Sequence, residues 1–378
     1  LAVVALLTLA EAHLPKPARA PLVLHKPFMV VWNAPTEQCR LRYKVDLDLA
    51  VFDIASNINE TLSGPNVTIF YHTHLGYYPY YSENGDPVNG GVPQNESLIK
   101  HLSKAKSDIE YCIPMKKFQG LAVIDWENWR PQWDRNWGNK SIYRNKSLEI
   151  VRRRHPRHPQ IYTGKCPPIE SFRNDLLLWL WKESTALYPS IYLDYILKSS
   201  PNALKFVHYR VKEAIRVASI ARKDYILPVF VYSRPFYAYT FHALTERDLV
   251  NTIGESAALG AAGVVLWGSM QYASSEESCL RVKRYIDGPL GHYVINVTSA
   301  AKLCSKVLCK KNGRCIRKNS DSSAYLHLSP TDFKIHDRHS ERGPRFQVTG
   351  EPSLESIEAM KQRFICQCYQ GWTGIFCE

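Results

Sequence analysis

The sequence predicts an α/β protein, a distorted (β/α) TIM-like barrel with a small C-terminal module stapled by disulfides. Three observations carry this expectation. Strand-like and helix-like stretches alternate over about 260 residues, the rhythm of a parallel α/β fold. The strand-like stretches end in polar or aromatic residues, and a β/α barrel keeps its functional residues at the C-terminal ends of its strands. Six of the ten cysteines crowd into the last 75 of 378 residues. The expected organisation is a partial signal peptide over 1–20, a barrel over 21–300 and the stapled module over 301–378.

Taken in order, the first strand is expected at 28–33 (FMVVWN) and the second at 66–71 (NVTIFY), followed by a Pro/Gly-rich loop bearing Tyr77, Tyr78, Tyr80 and Tyr81. Residues 96–113 place Leu98, Ile99, Leu102, Ala105 and Ile109 at helical spacing. A short apolar run, Leu121 to Ile124, reads as a buried strand. Helices are expected at 142–154, 172–187, 204–221, 249–259 and 276–286, and strands at 190–193, 226–232 and 263–267. The strand ends then carry Asn33, Tyr71, Asp125 with Glu127, Tyr192, Tyr232 and Trp267, a set suited to stacking sugar rings or to capping the core. The rhythm breaks once. Two helices lie between the strand at 121–125 and that near 190, with only a weak strand candidate at 160–163 between them.

Net charge is +13, from 48 basic and 35 acidic residues. A basic surface suits a polyanion: nucleic acid, anionic membrane or acidic polysaccharide. The cluster Arg152, Arg153, Arg154, His155, Arg157 and His158 is a solvated helix end or an attractor of such a polyanion. Asn-x-Ser/Thr sequons at Asn59, Asn66, Asn95, Asn139, Asn145 and Asn296 argue against nucleic acid and for the secretory pathway, as do the cysteines. The opening LAVVALLTLAEAHLPKPARA reads as the apolar core of a leader, too short to span a membrane. No hydrophobic tail follows Cys377-Glu378, so an anchor signal would have to lie beyond this sequence.

The chemistry concentrates in Gly120 to Trp133, GLAVIDWENWRPQW. In extended chain, residues two apart share a side, so Asp125 and Glu127 face one space, with Cα atoms roughly 6.5–7 Å apart. A bare D-x-E is most often a solvated strand end. Here Trp126, Trp129, Trp133 and Arg130 surround it, which suits glycoside chemistry, where one carboxyl is held protonated beside a charged neighbour.

The tail spacing C-x4-C-x5-C…C-x-C-x8-C, ending CQCYQGWTGIFC, resembles an EGF-like module with a long insertion between Cys315 and Cys366. Six cysteines allow fifteen connectivities; the resemblance implies Cys304–Cys315, Cys309–Cys366 and Cys368–Cys377. VWNAPTEQC (31–39), NVTIFYHTHLGYYP (66–79), NGGVPQN (89–95), GLAVIDWENWRPQW, RNDLLLWLWKESTALYPSIY (173–192), HYRVKEAIRV (208–217), TIGESAALGAAGVVLWG (252–268) and NVTSAAKLC (296–304) together resemble the vertebrate hyaluronidases, nearest to the membrane-anchored and sperm-type members.

That resemblance implies endo-hydrolysis of hyaluronan, with chondroitin as a second candidate, without metal or cofactor. Glu127 would be the general acid and then base. The substrate's acetamido oxygen would be the nucleophile, and Asp125 would orient it. Tyr71 and Tyr192 match positions that contact the acetamido group and the reacting sugar. Arg130, Arg210 and Trp267 match positions that line the groove or support the acid. A Cys39–Cys279 bond is implied as well. A monomer is expected, in an extracellular, cell-surface, lysosomal or acrosomal setting.

One departure accompanies the match. Between HPRHP (155–159) and IYTGKCPP (161–168) the family carries roughly fifty more residues, more than the ~30 of a βα unit. They include a barrel strand and the partner of Cys166, which leaves Cys166 without its family partner; Cys112 has no counterpart in the family pattern, and a Cys112–Cys166 bond is an open alternative. A barrel short of a strand exposes backbone edges, so the competing expectation is a catalytically impaired glycan-binding or adhesion protein.

Overall fold

The computed structural model describes residues 14–55, 66–130, 136–154, 178, 180–338 and 345–378. Parallel strands form the frame. β1 (Met29–Asn33) pairs with β2 (Ile54–Ala55) on one side and with β6 (Gly263–Trp267) on the other; β6 pairs in turn with β5 (Phe230–Ser233). Parallel bridges Leu187↔Val229 and Ser190↔Tyr232 lay the segment 187–190 against the far side of β5. Separately, β3 (Val67–Phe70) pairs in parallel with β4 (Leu121–Ile124).

These strands enclose one interior. Met29, Val31, Val67, Ile69, Leu121, Val123, Phe230, Tyr232 and Val265 form a single buried cluster, with Tyr71, Tyr188, Tyr192 and Trp267 packed on it. The strand period of two explains the membership: every second residue turns inward. The alternate residues Val30, Trp32, Val231, Val264 and Leu266 belong to a second cluster, shared with the surrounding helices. The chain therefore folds as a TIM-like barrel. Among the described residues β4 pairs on one side only, and a cavity of about 590 Å³ opens between Leu121 and Tyr188, at the opposite end of the strands from the carboxylates.

The helices follow their local signals. α1 (Leu98–Cys112) starts at Ser97, whose hydroxyl accepts from the Lys100 amide; α3 (Pro201–Ala221) has Ser200 as its cap and Pro in its first turn. α2 spans Ser141–Arg154 and ends in the basic run. The helix expected at 249–259 begins earlier, as α4 (Glu246–Leu249) capped by Thr245, passes through a π-turn at Val250–Gly254 and ends as α5 (Glu255–Leu259) at Gly260, whose φ of +96° suits glycine. α6 is Glu276–Tyr285. The helix expected at 172–187 is described only near its C-terminal end and stops by Ser184, because residues 187–190 are drawn into the sheet beside β5. The strand candidate at 160–163 lies outside the described residues.

A further helix, α7 (Gly291–Leu308), leads from the barrel to the tail. The tail pairs strand β7 (Gly313–Arg317) antiparallel with β10 (Phe364–Cys368). Its insertion holds a second ribbon, β8 (Phe333–Asp337) with β9 (Phe346–Gly350), and the helix α8 (Leu354–Arg363). Four disulfides join the pairs that the resemblance implies: Cys39–Cys279, Cys304–Cys315, Cys309–Cys366 and Cys368–Cys377. Cys112 is a free thiol whose pKa burial pushes up.

Barrel and tail share charged and backbone ties. Buried Arg317 on β7 donates to both oxygens of buried Glu255 on α5, at 3.0 and 2.5 Å. The residues from Lys16 to Ala18, assigned above to a leader, are part of the folded body. Ile226 N donates to Pro17 O, and Ala18 N donates to Cys368 O. Among the described residues no helix is long and apolar enough to cross a membrane.

Candidate active site

Asp125 directly follows β4, and its amide still donates to Phe70 O on β3 at 3.0 Å, so the strand geometry extends through it. Parity from Leu121 and Val123 turns Asp125 toward the barrel axis. It is half-buried, whereas Glu127, one step further along the loop, is exposed. Burial, and then the Glu127 carboxylate, push the Asp125 pKa up to about 6.

Aromatic walls flank the pair. On one side Tyr192 and Trp267 stack, with ring centroids 6.1 Å apart and planes at 22°. Tyr71, at the end of β3, hydrogen-bonds Trp267, and burial with the two carboxylates raises its pKa. The Tyr192 hydroxyl is raised mainly by burial and feels Arg234, Asp125 and Glu127. On the loop side Trp126 meets Trp129 edge-on at 4.7 Å, and Tyr78 stacks on Trp129 at 5.8 Å. The Trp129 indole donates to Pro79 O at 3.0 Å.

The structure thus brings Asp125, Glu127, Tyr71, Tyr192 and Trp267 together. Arg130 is in the same loop, its guanidinium 5.0 Å above the Trp137 ring. Arg210 is not at the strand ends. It is exposed on α3, over Phe206 at 5.6 Å, because Ala203, Val207, Val211 and Ala218 give α3 its buried face and turn 210 away. Trp133 and Asn59 lie outside the described residues; Asn66, Asn95, Asn139, Asn145 and Asn296 lie within them.

Sequence reasoning missed two participants, Arg234 and Lys140. Arg234, just past β5, is 8% exposed and sits 5.2 Å from the Trp267 ring and 5.9 Å from that of Tyr192. Its place after a strand ending in Tyr232 and Ser233 was the available signal. Asn33 donates to the Tyr232 hydroxyl at 3.3 Å, which ties the ends of β1 and β5 together across β6. Lys140 reaches back to the acidic loop, and no local pattern announces that contact.

A barrel with two carboxylates at one strand end, between aromatic walls, defines a glycoside-hydrolase class of site. Comparison with known proteins agrees. The glycoside hydrolase 56 profile, described as hyaluronidase, matches residues 17–161 and 156–378, and the chain belongs to that family. It is 54% identical to a hyaluronidase of Echis ocellatus, over 96% of this chain and 92% of that one, and 54% identical to a hyaluronidase of Crotalus adamanteus over the same shares. The crystal structure of bee venom hyaluronidase in complex with a hyaluronic acid tetramer superposes with a TM-score of 0.62 at 28% identity, covering 71% of this chain and 98% of the bee chain. The alignment to the Echis protein spans 414 positions while using 96% of 378 residues, so about 50 of its positions face no residue of this chain. The two profile matches meet at 156–161, the site of the departure noted in the sequence.

Proposed function

We propose that the protein cleaves hyaluronan by retaining, substrate-assisted hydrolysis at Asp125 and Glu127. The carrying observation is that pair, at the end of an inward-facing strand, with the Asp125 pKa raised to about 6 between the Tyr192–Trp267 and Trp126–Trp129 walls. Below about pH 6 the pair holds a proton, and burial places it first on Asp125. A substrate acetamido N–H pointing at Asp125 favours the charged carboxylate, so the proton becomes available on Glu127. Glu127 then protonates the glycosidic oxygen as the C1–O bond breaks, and the acetamido oxygen bonds to C1. In the second step water attacks C1 as the bond from C1 to the acetamido oxygen breaks, and its proton passes to Glu127; the acid is restored, and two inversions at C1 retain the configuration. Tyr71 and Tyr192 contact the reacting sugar, and Trp267 provides a face for it to stack on.

The test is the chain length of hyaluronan after incubation with folded protein, from about pH 3.5 to about pH 7. The reading expects shortening that weakens as pH rises through about 6. It expects Glu127→Gln to lower turnover by about 10²–10⁴-fold while binding persists. Salt-sensitive retention on immobilised hyaluronan without cleavage at any pH would instead mark a glycan-binding protein.

We infer further that the chain is a secreted glycoprotein with the tail as an EGF-like cap. Four disulfides and six sequons support this. A loss of mass on treatment with an N-glycosidase checks it.

A further inference from the structure

The loop carrying the two carboxylates is held by the chain that returns after it. Buried Asn136 bridges Arg130: its side-chain oxygen accepts from Arg130 N at 2.8 Å, and its amide donates to Arg130 O at 2.8 Å. Four residues on, the Lys140 ammonium donates to Glu127 O and, at 3.1 Å, to Asn128 O. Both acceptors are main-chain carbonyls, and one belongs to the residue read above as the acid.

We propose that Lys140 is a positioning residue for Glu127. Gripping the Glu127 and Asn128 carbonyls fixes the two peptide planes that follow the acid, and with them the direction in which its side chain leaves the backbone. Glu127 needs this more than Asp125 does. Asp125 is anchored by the β-ladder through its own amide, whereas Glu127 lies beyond the last ladder bond and is exposed. An ammonium has three donors and suits two divergent carbonyls better than any neutral side chain of its length. Burial and the nearby Arg130 push the Lys140 pKa down, while the Glu127 charge opposes them, consistent with a partly buried lysine beside the acid.

This inference rests on the reading of Glu127 as the acid, so its test has one arm that needs turnover and one that does not. In the full chain, Lys140→Met is expected to lower kcat on hyaluronan oligosaccharides by about tenfold or more with KM within about threefold, since misplacing a catalytic group by 1 Å costs up to about 10²-fold. Lys140→Arg, which keeps the charge and donors, is expected to recover most of that loss. Independently, the amide resonances of Asn128 and Trp129, which follow the two gripped carbonyls, should shift in Lys140→Met while those of Leu121 to Ile124 stay in place. Unmoved Asn128 and Trp129 amides, or a raised KM with kcat intact, would overturn the proposal. If the native protein cleaves nothing, the function reading fails and the amide shifts alone decide the grip. If Lys140→Met does not fold, Lys140→Gln carries the same two measurements.

Discussion

The two sides of the barrel are built differently. Around β1, β5 and β6 both faces of the sheet are closed: inward residues meet the barrel core, while outward Val30, Trp32, Val264 and Leu266 are all at 1% exposure or less beneath the helices. On β4 only the inward face is closed. Leu121 and Val123 are buried, but Ala122 and Ile124 face outward, Ile124 at 58% exposure. α1 shows the same asymmetry, with Leu98, Ile99, Leu102 and Ile109 exposed and only Ala105 buried. Both sides carry apolar residues at the right spacing, so the difference lies in what covers them. Along the chain, the bare side comes before residues 156–161, where the alignment to the Echis protein holds about 50 positions that this chain lacks. The acid pair rises from the bare side, while the wall of Tyr192 and Trp267 belongs to the covered one.

This contrast can be broken by mutation, the largest effect first. Glu255→Gln on the covered side leaves buried Arg317 without its full partner and is expected to cost about 3–5 kcal/mol, read by chemical denaturation. An unchanged midpoint would mean the covered side does not depend on that tie. Asp125→Asn tests the site. The folded-state pKa is raised from 3.8 to about 6, so the native protein holds a proton that the unfolded chain has released between these values. Stability from this group is therefore full below the unfolded value and falls as pH rises through that window. Removing the carboxyl should remove that pH dependence and raise stability at pH 7 by about 1–2 kcal/mol, allowing for half exposure, while activity is lost. The smallest effect belongs to the bare side. Ile124→Thr should change stability by less than about 0.5 kcal/mol, whereas Val264→Ala, one methyl-bearing residue in the covered layer, should cost about 1–3 kcal/mol. Equal losses for those two would show that something covers β4 in solution.

Much of this was legible in the sequence. FMVVWN, NVTIFY, GLAVI and GVVLW are short apolar runs closed by a polar or aromatic residue, and each became a barrel strand. The parity that turns Asp125 inward follows from its spacing to Leu121 and Val123. Other features depend on contacts between distant residues. Lys140 and Asn136 act on the loop across a turn, and Arg234 reaches one ring on β6 and another on the segment that follows Ser190. α7 gave no helical signal because it opens just after Pro289-Leu290 and includes β-branched Val294, Ile295, Val297 and Thr298, which resemble a strand. Arg210 shows the reverse. Its outward position follows from the spacing of Val207 and Val211, while the family resemblance pointed toward the groove.

The bond between Cys39 and Cys279 spans 240 residues and so has a consequence for biosynthesis. At about 5–20 residues per second, Cys39 leaves the ribosome roughly 10–50 s before its partner. Cys112 and Cys166 emerge in that interval, each an oxidisable thiol within reach of the waiting one. Correct pairing therefore requires either that the nascent N-terminal strands bury Cys39 early or that an isomerase undoes an earlier, shorter loop. The yield of correctly folded protein should respond to oxidoreductase supply more steeply than its final stability suggests, and Cys112→Ser should relieve part of that dependence.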